Sequence, residues 1–131
     1  MTAQDATEAL AAFKRYTAAF QTLDPRAPGE YFHQPALMAT PEGVFALPCS
    51  SAVERVYGNV MARLHGIGYA RSAFPDLTAR RMSHDLAVVS GCCIWETADG
   101  KEIQRANVTY TFRQSGGAWK ILTALIYEPH A

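Results

Sequence analysis

The last third of the chain carries three extended runs, residues 86–97, 102–114 and 118–128, that follow one another almost without interruption. The first two are joined across Asp99-Gly100, a pair that supplies the positive φ angles of a tight hairpin. Ser115-Gly116-Gly117 joins the second and third. We therefore predict one antiparallel meander, and we expect the earlier elements to pack against it.

Two amphipathic helices precede the meander. The first opens with a capping-box pattern at residues 5–8, and apolar residues then recur every three or four positions between Leu10 and Phe20. A second capping-box pattern at residues 51–54 opens a second long helix, which we expect to end at Gly66 or Gly68.

The segment between the two helices predicts a short helical turn at residues 30–33, ended by Pro35, and then a small hairpin around the turn residues 40–43. Weaker extended segments, residues 69–74 and 77–82, lead into the meander. This order of elements favours an α+β fold in which helices pack on one face of a curved antiparallel sheet.

Length and charge limit the possible functions. A chain of 131 residues predicts one domain, residues 1–131. Its 12 basic and 12 acidic residues give no net charge, and local basic clusters such as Arg80-Arg81 are only two residues long, so we expect no nucleic-acid partner. We also expect a cytoplasmic protein with no membrane segment, because the N-terminus lacks signal-peptide regions and no apolar run approaches about 18 residues.

The metal-binding residue types do not form a site in the sequence. His33, His65, His84 and His130 are scattered, and no glycine-rich phosphate loop is present, so we expect neither a metal nor a cofactor. Cys92 and Cys93 are neighbours in a predicted strand and point to opposite faces. We expect the cysteines to be small buried apolar residues, with a reactive thiol as the alternative.

The last extended run is apolar on both faces. Simple alternation places Trp119, Ile121, Leu125 and Tyr127 on one side and Leu122, Ala124 and Ile126 on the other. A sheet covered by helices on one face only is expected to alternate between apolar and polar residues. We therefore expect a second subunit on the other face, which predicts a homodimer through the sheet.

The order of elements, together with Gly116-Gly117-Ala118-Trp119-Lys120-Ile121 on the last strand, resembles the nuclear transport factor 2-like superfamily. This superfamily includes ketosteroid isomerases, polyketide cyclases and scytalone dehydratase. The resemblance covers residues 5–128. It implies a cone-shaped sheet wrapped around the first helix, as in cystatin-like folds, an apolar pocket at the wide end and commonly a dimer through the sheet.

The resemblance also suggests pocket residues. Tyr16, Tyr31 and Tyr57 fall where ketosteroid isomerases place a hydrogen-bonded tyrosine network. The acids of that family do not carry over, because its aspartate base would fall near residues 38–40 and its protonated aspartic acid near Tyr110. Without a base in reach of the carbon acid, the steroid reaction is disfavoured.

Two residues are candidates for proton transfer. Glu128 is the nearest positional match to the acid that polyketide cyclases place on their late strands, and the alternative is a solvated glutamate at a strand end. His33 could line the pocket as a proton carrier, or a nearby backbone carbonyl could satisfy it.

Aromatic residues are the candidates for ligand contact. They are Tyr16, Phe20, Tyr57, Trp95 and Tyr110, although aromatic residues at such spacing are more often simply core. The register does not decide whether Trp95 or Glu96 faces inward. Residues 105–113 place a polar stripe on the middle strand, which we interpret as solvated or dimer-facing.

These observations favour a pocket for a small apolar or weakly acidic molecule. The first functional hypothesis is a cofactor-independent lyase or isomerase acting on a carbonyl-containing compound. The alternative is a non-catalytic ligand-binding or assembly module, whose interior would be filled by side chains.

Overall fold

The computed structural model describes residues 6–128. The described elements are α1 (Thr7–Gln21), a 3₁₀ turn (Pro28–Tyr31), β1 (Phe32–Thr40), β2 (Gly43–Leu47), α2 (Ser50–Gly66), β3 (Tyr69–Ala73), β4 (Thr78–Arg81), β5 (Leu86–Thr97), β6 (Glu102–Ser115) and β7 (Ala118–Tyr127). The predicted α+β fold is confirmed, with the long meander β5-β6-β7 at its centre.

The sheet is mixed rather than wholly antiparallel. The strand order is β2-β1-β7-β6-β5-β3, and β4 also pairs with β5. β1 and β7 run parallel, so the prediction of an antiparallel sheet is wrong for this one pair. The pair joins the first hairpin to the end of the meander, and the rest of the chain forms the long connection that parallel neighbours require.

The predicted helix starts differ from the observed ones. α2 begins at Ser50 after Cys49, and no side chain caps it, so the predicted capping box at residues 51–54 is wrong. The hydroxyl of Ser51 instead lies 3.1 Å from the Cys49 sulfur. The first predicted capping box begins at Asp5, which lies outside the described residues.

Pro35 does not end the short helical turn as predicted, because the turn already ends at Tyr31 and Pro35 lies inside β1. β1 runs through this residue, and the peptide bond between Gln34 and Pro35 is cis. The ladder to β7 shifts register between Phe32 and Leu37. A proline lacks the N–H that the ladder needs, so the strand continues with an irregularity at this point.

A bulge in β7 changes which side chains face the core. Ile121 pairs with Phe112 but Thr123 pairs with Thr111, so Leu122 is an extra residue. One extra residue inverts the alternation of a strand. The side chains of β7 that pack in or against the core are Trp119, Ile121, Ala124 and Ile126. The predicted grouping of the first two with residues 125 and 127 is therefore wrong.

The helices pack on the inner face of the sheet, and α1 serves two regions in turn. Its first half buries Ala9, Ala12 and Phe13 in the core. Its second half carries Tyr16 and Phe20, whose side chains line a cavity. Within residues 6–128, no helix is long and apolar enough to cross a membrane.

Candidate functional site

A cavity of about 390 Å³ lies between the second half of α1, the helix α2 and the inner face of the sheet. Much of its wall is apolar and comes from Phe20, Met38, Val60, Phe74, Trp95 and Val108. The ring of Phe74 packs edge-to-face against that of Phe13, with ring centroids 5.1 Å apart. The interior at this end of the fold is therefore not filled by side chains.

Three tyrosines from three elements bring their hydroxyl groups together in this cavity. Tyr16 on α1 lies at the centre, with its hydroxyl oxygen 2.5 Å from that of Tyr57 on α2 and 3.3 Å from that of Tyr110 on β6. All three side chains are buried and line the cavity. The structure thus brings together Tyr16, Tyr57 and Tyr110, whereas Tyr31, which the resemblance placed in the network, does not line the cavity.

The hydrogen bonds within this cluster leave one O–H donor unused. Three hydroxyl groups supply three O–H donors, and the two contacts, at 2.5 and 3.3 Å, use two of them. Whichever way the chain of hydrogen bonds is directed, one O–H of the cluster has no acceptor among the described residues. A buried donor without an acceptor costs about 1–3 kcal/mol. The cluster is therefore ready to donate to an oxygen brought by a ligand.

The tyrosines keep their protons at neutral pH. Burial raises the pKa of Tyr16 and of Tyr110 well above the usual value of 10.0. At Tyr16 both neighbouring tyrosines add to the rise, whereas at Tyr110 the charge of Tyr57 adds to it and the hydrogen bond with Tyr16 opposes it. Burial also raises the pKa of Tyr57. All three groups act as donors rather than as phenolate bases.

The register question on β5 is decided by packing. Trp95 lines the cavity and stacks on Phe20, with ring centroids 6.0 Å apart and planes at 21°. Glu96 instead forms an ion pair with Arg71, at a nitrogen-to-oxygen distance of 3.1 Å. Trp95 and Phe20 thus form one aromatic wall of the cavity.

Glu128 and His33, the two candidates for proton transfer, lie in different places. Glu128 follows the end of β7, and it is an exposed residue of the cavity lining, so it lies at the mouth of the cavity. His33 does not line this cavity. It lies in a surface groove with Arg26 and Lys120, and its Nδ1 is 2.8 Å from the carbonyl oxygen of Pro35. The backbone contact considered for His33 in the sequence is the one observed.

The sequence analysis missed several polar residues of the cavity. Ser72 on β3 and Cys93 on β5 line its wall. Cys93 lies two residues before Trp95, so strand alternation could have placed both on one face. Ser72 gave no such signal, because only the β3–β5 pairing brings it opposite Trp95.

Charged residues cluster at the mouth of the cavity. Arg63 from α2, Glu42 from the first hairpin and Arg105 from β6 join Glu128 there. Arg105 is also paired with Glu102 at 2.7 Å. Of the polar stripe predicted on β6, Arg105 is the residue that lines the cavity. Within the part of the chain that the structure describes, no three His, Cys, Asp or Glu residues form a metal-binding group.

Comparisons with solved structures show the same fold. An NTF2-like protein with a cystatin-like fold from Novosphingobium aromaticivorans has a TM-score of 0.78 at 16% identity, covering 95% of this chain and 82% of that one. A candidate dehydratase of the NTF2-like family from Streptomyces avermitilis has a TM-score of 0.72 at 15% identity, covering 98% and 99%.

A third similar structure is a candidate calcium/calmodulin-dependent protein kinase II association domain from Xanthomonas campestris. Its TM-score is 0.73 at 19% identity, and the match covers 93% of this chain and 86% of that one. At such identities these neighbours define the fold alone. No curated protein matches the chain. A family model described as NTF2-like protein (DUF6841) matches residues 7–129, and the chain therefore belongs to this NTF2-like family.

Proposed function

We propose that the protein binds a small apolar molecule that carries a hydrogen-bond-accepting oxygen, such as a ketone. The observation that supports this most directly is the spare O–H of the cluster formed by Tyr16, Tyr57 and Tyr110. A ligand carbonyl placed there accepts the donor that the protein leaves without a partner. The aromatic wall of Phe20 and Trp95 then covers the apolar part of the ligand.

The size of the cavity supports the same proposal. Small-molecule sites are typically about 300–1,000 Å³, mostly apolar, with a few polar groups that fix the ligand's orientation. A volume of about 390 Å³ with one buried hydroxyl cluster fits this description. A purely structural module would have a filled interior, so the cavity counts against the assembly hypothesis as the sole function.

The matched pair acetophenone and isopropylbenzene tests the proposal. The two molecules have nearly the same shape, and only acetophenone has an acceptor oxygen. In the Trp119→Phe variant, Trp95 is the sole indole and lines the cavity, so its fluorescence reports on occupancy. We expect acetophenone to bind about 5- to 10-fold more tightly, which corresponds to about 1 kcal/mol for one hydrogen bond.

Equal affinities for the two compounds, or no change in Trp95 fluorescence with either, would contradict the proposal. The variant that combines Tyr16→Phe, Tyr57→Phe and Tyr110→Phe provides the internal check. It removes all three hydroxyls, because any two that remain in contact would still have one O–H donor more than they use. We expect it to weaken acetophenone binding while leaving isopropylbenzene binding nearly unchanged.

A second candidate function, proton transfer to or from the bound ligand, is favoured by the position of Glu128. Glu128 is an exposed residue in the lining of the cavity that contains the hydroxyl cluster. A carboxylate that removes a proton next to a carbonyl, while a neutral tyrosine donates to that oxygen, is the arrangement of a cofactor-independent isomerase or lyase. His33 has no part in this proposal, because its ring lies in a separate groove.

Exchange of the methyl protons of acetophenone in deuterium oxide tests this chemistry directly. General-base catalysis contributes typically about 10²–10⁴-fold. We expect the protein to accelerate exchange and Glu128→Gln to remove about 10²-fold or more of that acceleration, with acetophenone affinity unchanged. The matched control is Glu42→Gln, another mouth carboxylate. Equal exchange rates in the wild-type protein and Glu128→Gln would exclude Glu128 as the base.

We further propose that the protein forms a homodimer through the outer face of the sheet. Leu37 is exposed at 38%, and it pairs across the ladder with Thr123, which in turn pairs with Thr111. Leucine and threonine side chains thus share this face. A second copy would cover it, as we expected from the apolar residues on both faces of β7.

A further inference from the structure

A second polar spot lies in the cavity wall, away from the three-tyrosine cluster. Ser72 lines the cavity from β3, and its hydroxyl is 2.7 Å from that of Tyr69. The backbone N–H of Ser72 donates to the side-chain oxygen of Gln21 at 2.9 Å, which ties the strand to α1. Cys93 lines the wall on the neighbouring strand β5. Ser72 is thus held in place from two sides.

This spot also has one donor more than its hydrogen bonds use. Tyr69, Ser72 and the Cys93 thiol supply three donors, and the contacts of Ser72 with Tyr69 and with the thiol use two of them. Ser72 and Cys93 line the cavity and Tyr69 does not, and a hydroxyl is a stronger donor than a thiol, so Ser72 is the group expected to reach a ligand. Burial raises the pKa of Tyr69 and of the Cys93 thiol to about 12, so both keep their protons at neutral pH. The spot therefore offers hydrogen-bond donors, as the tyrosine cluster does.

The two donor spots start from backbone positions that are well separated along β5. Tyr110 pairs with Val89 on β5, and Cys93 lies four residues further along the same strand. At about 3.3 Å per residue, the two positions are about 13 Å apart along the backbone. A ligand that carries two oxygens on a rigid apolar body can therefore reach both spots. The apolar wall between the spots fits such a body.

We infer that the cavity takes a ring compound with two acceptor oxygens on opposite sides, such as an aromatic diketone. One oxygen accepts from the tyrosine cluster and the other from Ser72. The inference rests on the proposed binding function and extends it, since a second carbonyl adds a second hydrogen bond. A ring compound with one carbonyl leaves the Ser72 donor unused.

The test compares para-diacetylbenzene with para-isopropylacetophenone. The two probes have nearly the same shape and differ in the second carbonyl oxygen. We expect the diketone to bind about fivefold more tightly to the wild-type protein, the gain of about one hydrogen bond. Equal affinity for the two probes would overturn the inference. Acetophenone and isopropylbenzene, measured alongside, separate this result from failure of the proposed function.

Three variants locate the second hydrogen bond. Ser72→Ala removes the ligand-facing hydroxyl, and we expect it to abolish the preference for the diketone while keeping the preference for acetophenone over isopropylbenzene. Tyr69→Phe removes the partner behind Ser72 and frees the serine donor, so the diketone preference should persist. Ser90→Ala, a serine outside the cavity lining on β5, is the matched control. A diketone preference that survives in Ser72→Ala would overturn the assignment to Ser72.

Discussion

Tyr16 is the residue on which the hydroxyl cluster depends most. It contacts both Tyr57 and Tyr110, whereas the described hydrogen bonds give each of those hydroxyls no partner but Tyr16. Replacing Tyr16 therefore leaves two buried hydroxyls without a partner. Replacing Tyr57 leaves the remaining pair joined. The cost of losing one hydroxyl thus depends on its place in the chain of three.

We expect Tyr16→Phe to lower the free energy of unfolding by about 3 kcal/mol and Tyr57→Phe by about 1 kcal/mol, because an orphaned buried polar group costs more than a lost hydrogen bond. Urea denaturation measures both values. Tyr127→Phe is the control, since that hydroxyl contacts Thr109 and its side chain is 44% exposed. Equal losses at Tyr16 and Tyr57 would contradict the central position of Tyr16.

Alkaline pH should destabilise the fold through buried ionisable groups, of which Cys93 and Tyr69 are two. The pKa of Cys93 rises from 9.0 to about 12 and that of Tyr69 from 10.0 to about 12, because burial disfavours their charged forms. Above the unfolded-state pKa values, the folded protein binds more protons than the unfolded chain. Stability is therefore full below about pH 9 and falls as the pH rises toward 12.

The measurement is the free energy of unfolding against pH, together with tyrosinate absorbance. We expect the buried tyrosines to ionise only as the protein unfolds. Cys93→Ala should reduce the loss of stability that begins near pH 9. Ionisation of Tyr16, Tyr57 or Tyr110 at the ordinary pKa of 10.0 in the folded protein would contradict the account.

Individual residues were predictable from sequence where an element with a clear period carried them. Tyr16, Phe20 and Tyr57 follow helical stripes, and the structure places each of them on the cavity. Ser72 was missed because its position depends on the pairing of two strands distant in sequence. A lone serine on a short strand carries no periodic signal of its own.

At the scale of elements, Gly91 on β5 allows the segment between β3 and β4 to lie close to that strand. A Cβ at Gly91 would lie 3.0 Å from Asp76 Oδ1 and 3.2 Å from the Cα of Leu77. The same Asp76 oxygen accepts the Cys92 N–H at 2.7 Å. The segment therefore lies directly over β5, and it begins with Phe74, which lines the cavity.

We expect Gly91→Ala to lower stability by about 1–3 kcal/mol, because the added methyl group meets the backbone of Leu77 and an Asp76 oxygen that is held by a hydrogen bond. The matched control is Gly58→Ala on α2, where a Cβ meets nothing within 4 Å. That change should raise stability by about 0.5–1 kcal/mol through helix propensity. Thermal denaturation of the two variants checks both signs. A neutral Gly91→Ala would show that the segment yields easily.

Strands and helices were predictable in existence, and their irregularities were not. The glycine-containing turns indicated the three strands of the meander, but the sequence around Leu122 gave no indication of a bulge. The bulge is set by pairing with β6, which is a tertiary property. The capping box at residues 51–54 failed for a similar reason, because the chain already enters α2 at Ser50.

At the scale of the whole molecule, the outer face of the sheet predicts a dimer. We expect a mass of twice 14.3 kDa in solution by light scattering. Leu37→Asp should shift the protein toward the monomer, because a buried unpaired charge is costly at an interface. Ile67→Asp, at the end of α2 and 47% exposed, is the control. A wild-type monomer would exclude the proposed interface.

The overall architecture was predictable because element order and hydrophobic period agree along the chain. The parallel pairing of β1 with β7 was not, since it joins residues from opposite ends of the sequence. The same holds for the cavity, whose tyrosines come from α1, α2 and β6. Residue types were visible in the sequence, and their convergence depends on the fold.

The most direct test of the central claim is the infrared carbonyl band of acetophenone, labelled with carbon-13 at the carbonyl, when bound to the protein. A hydrogen bond from the buried hydroxyl cluster lowers the stretching frequency below that of the probe in an alkane. We expect the lowered band in the wild-type protein and a return toward the alkane value when Tyr16→Phe, Tyr57→Phe and Tyr110→Phe are combined. A bound probe whose band already lies at the alkane value would contradict the claim that the tyrosine cluster holds a ligand oxygen.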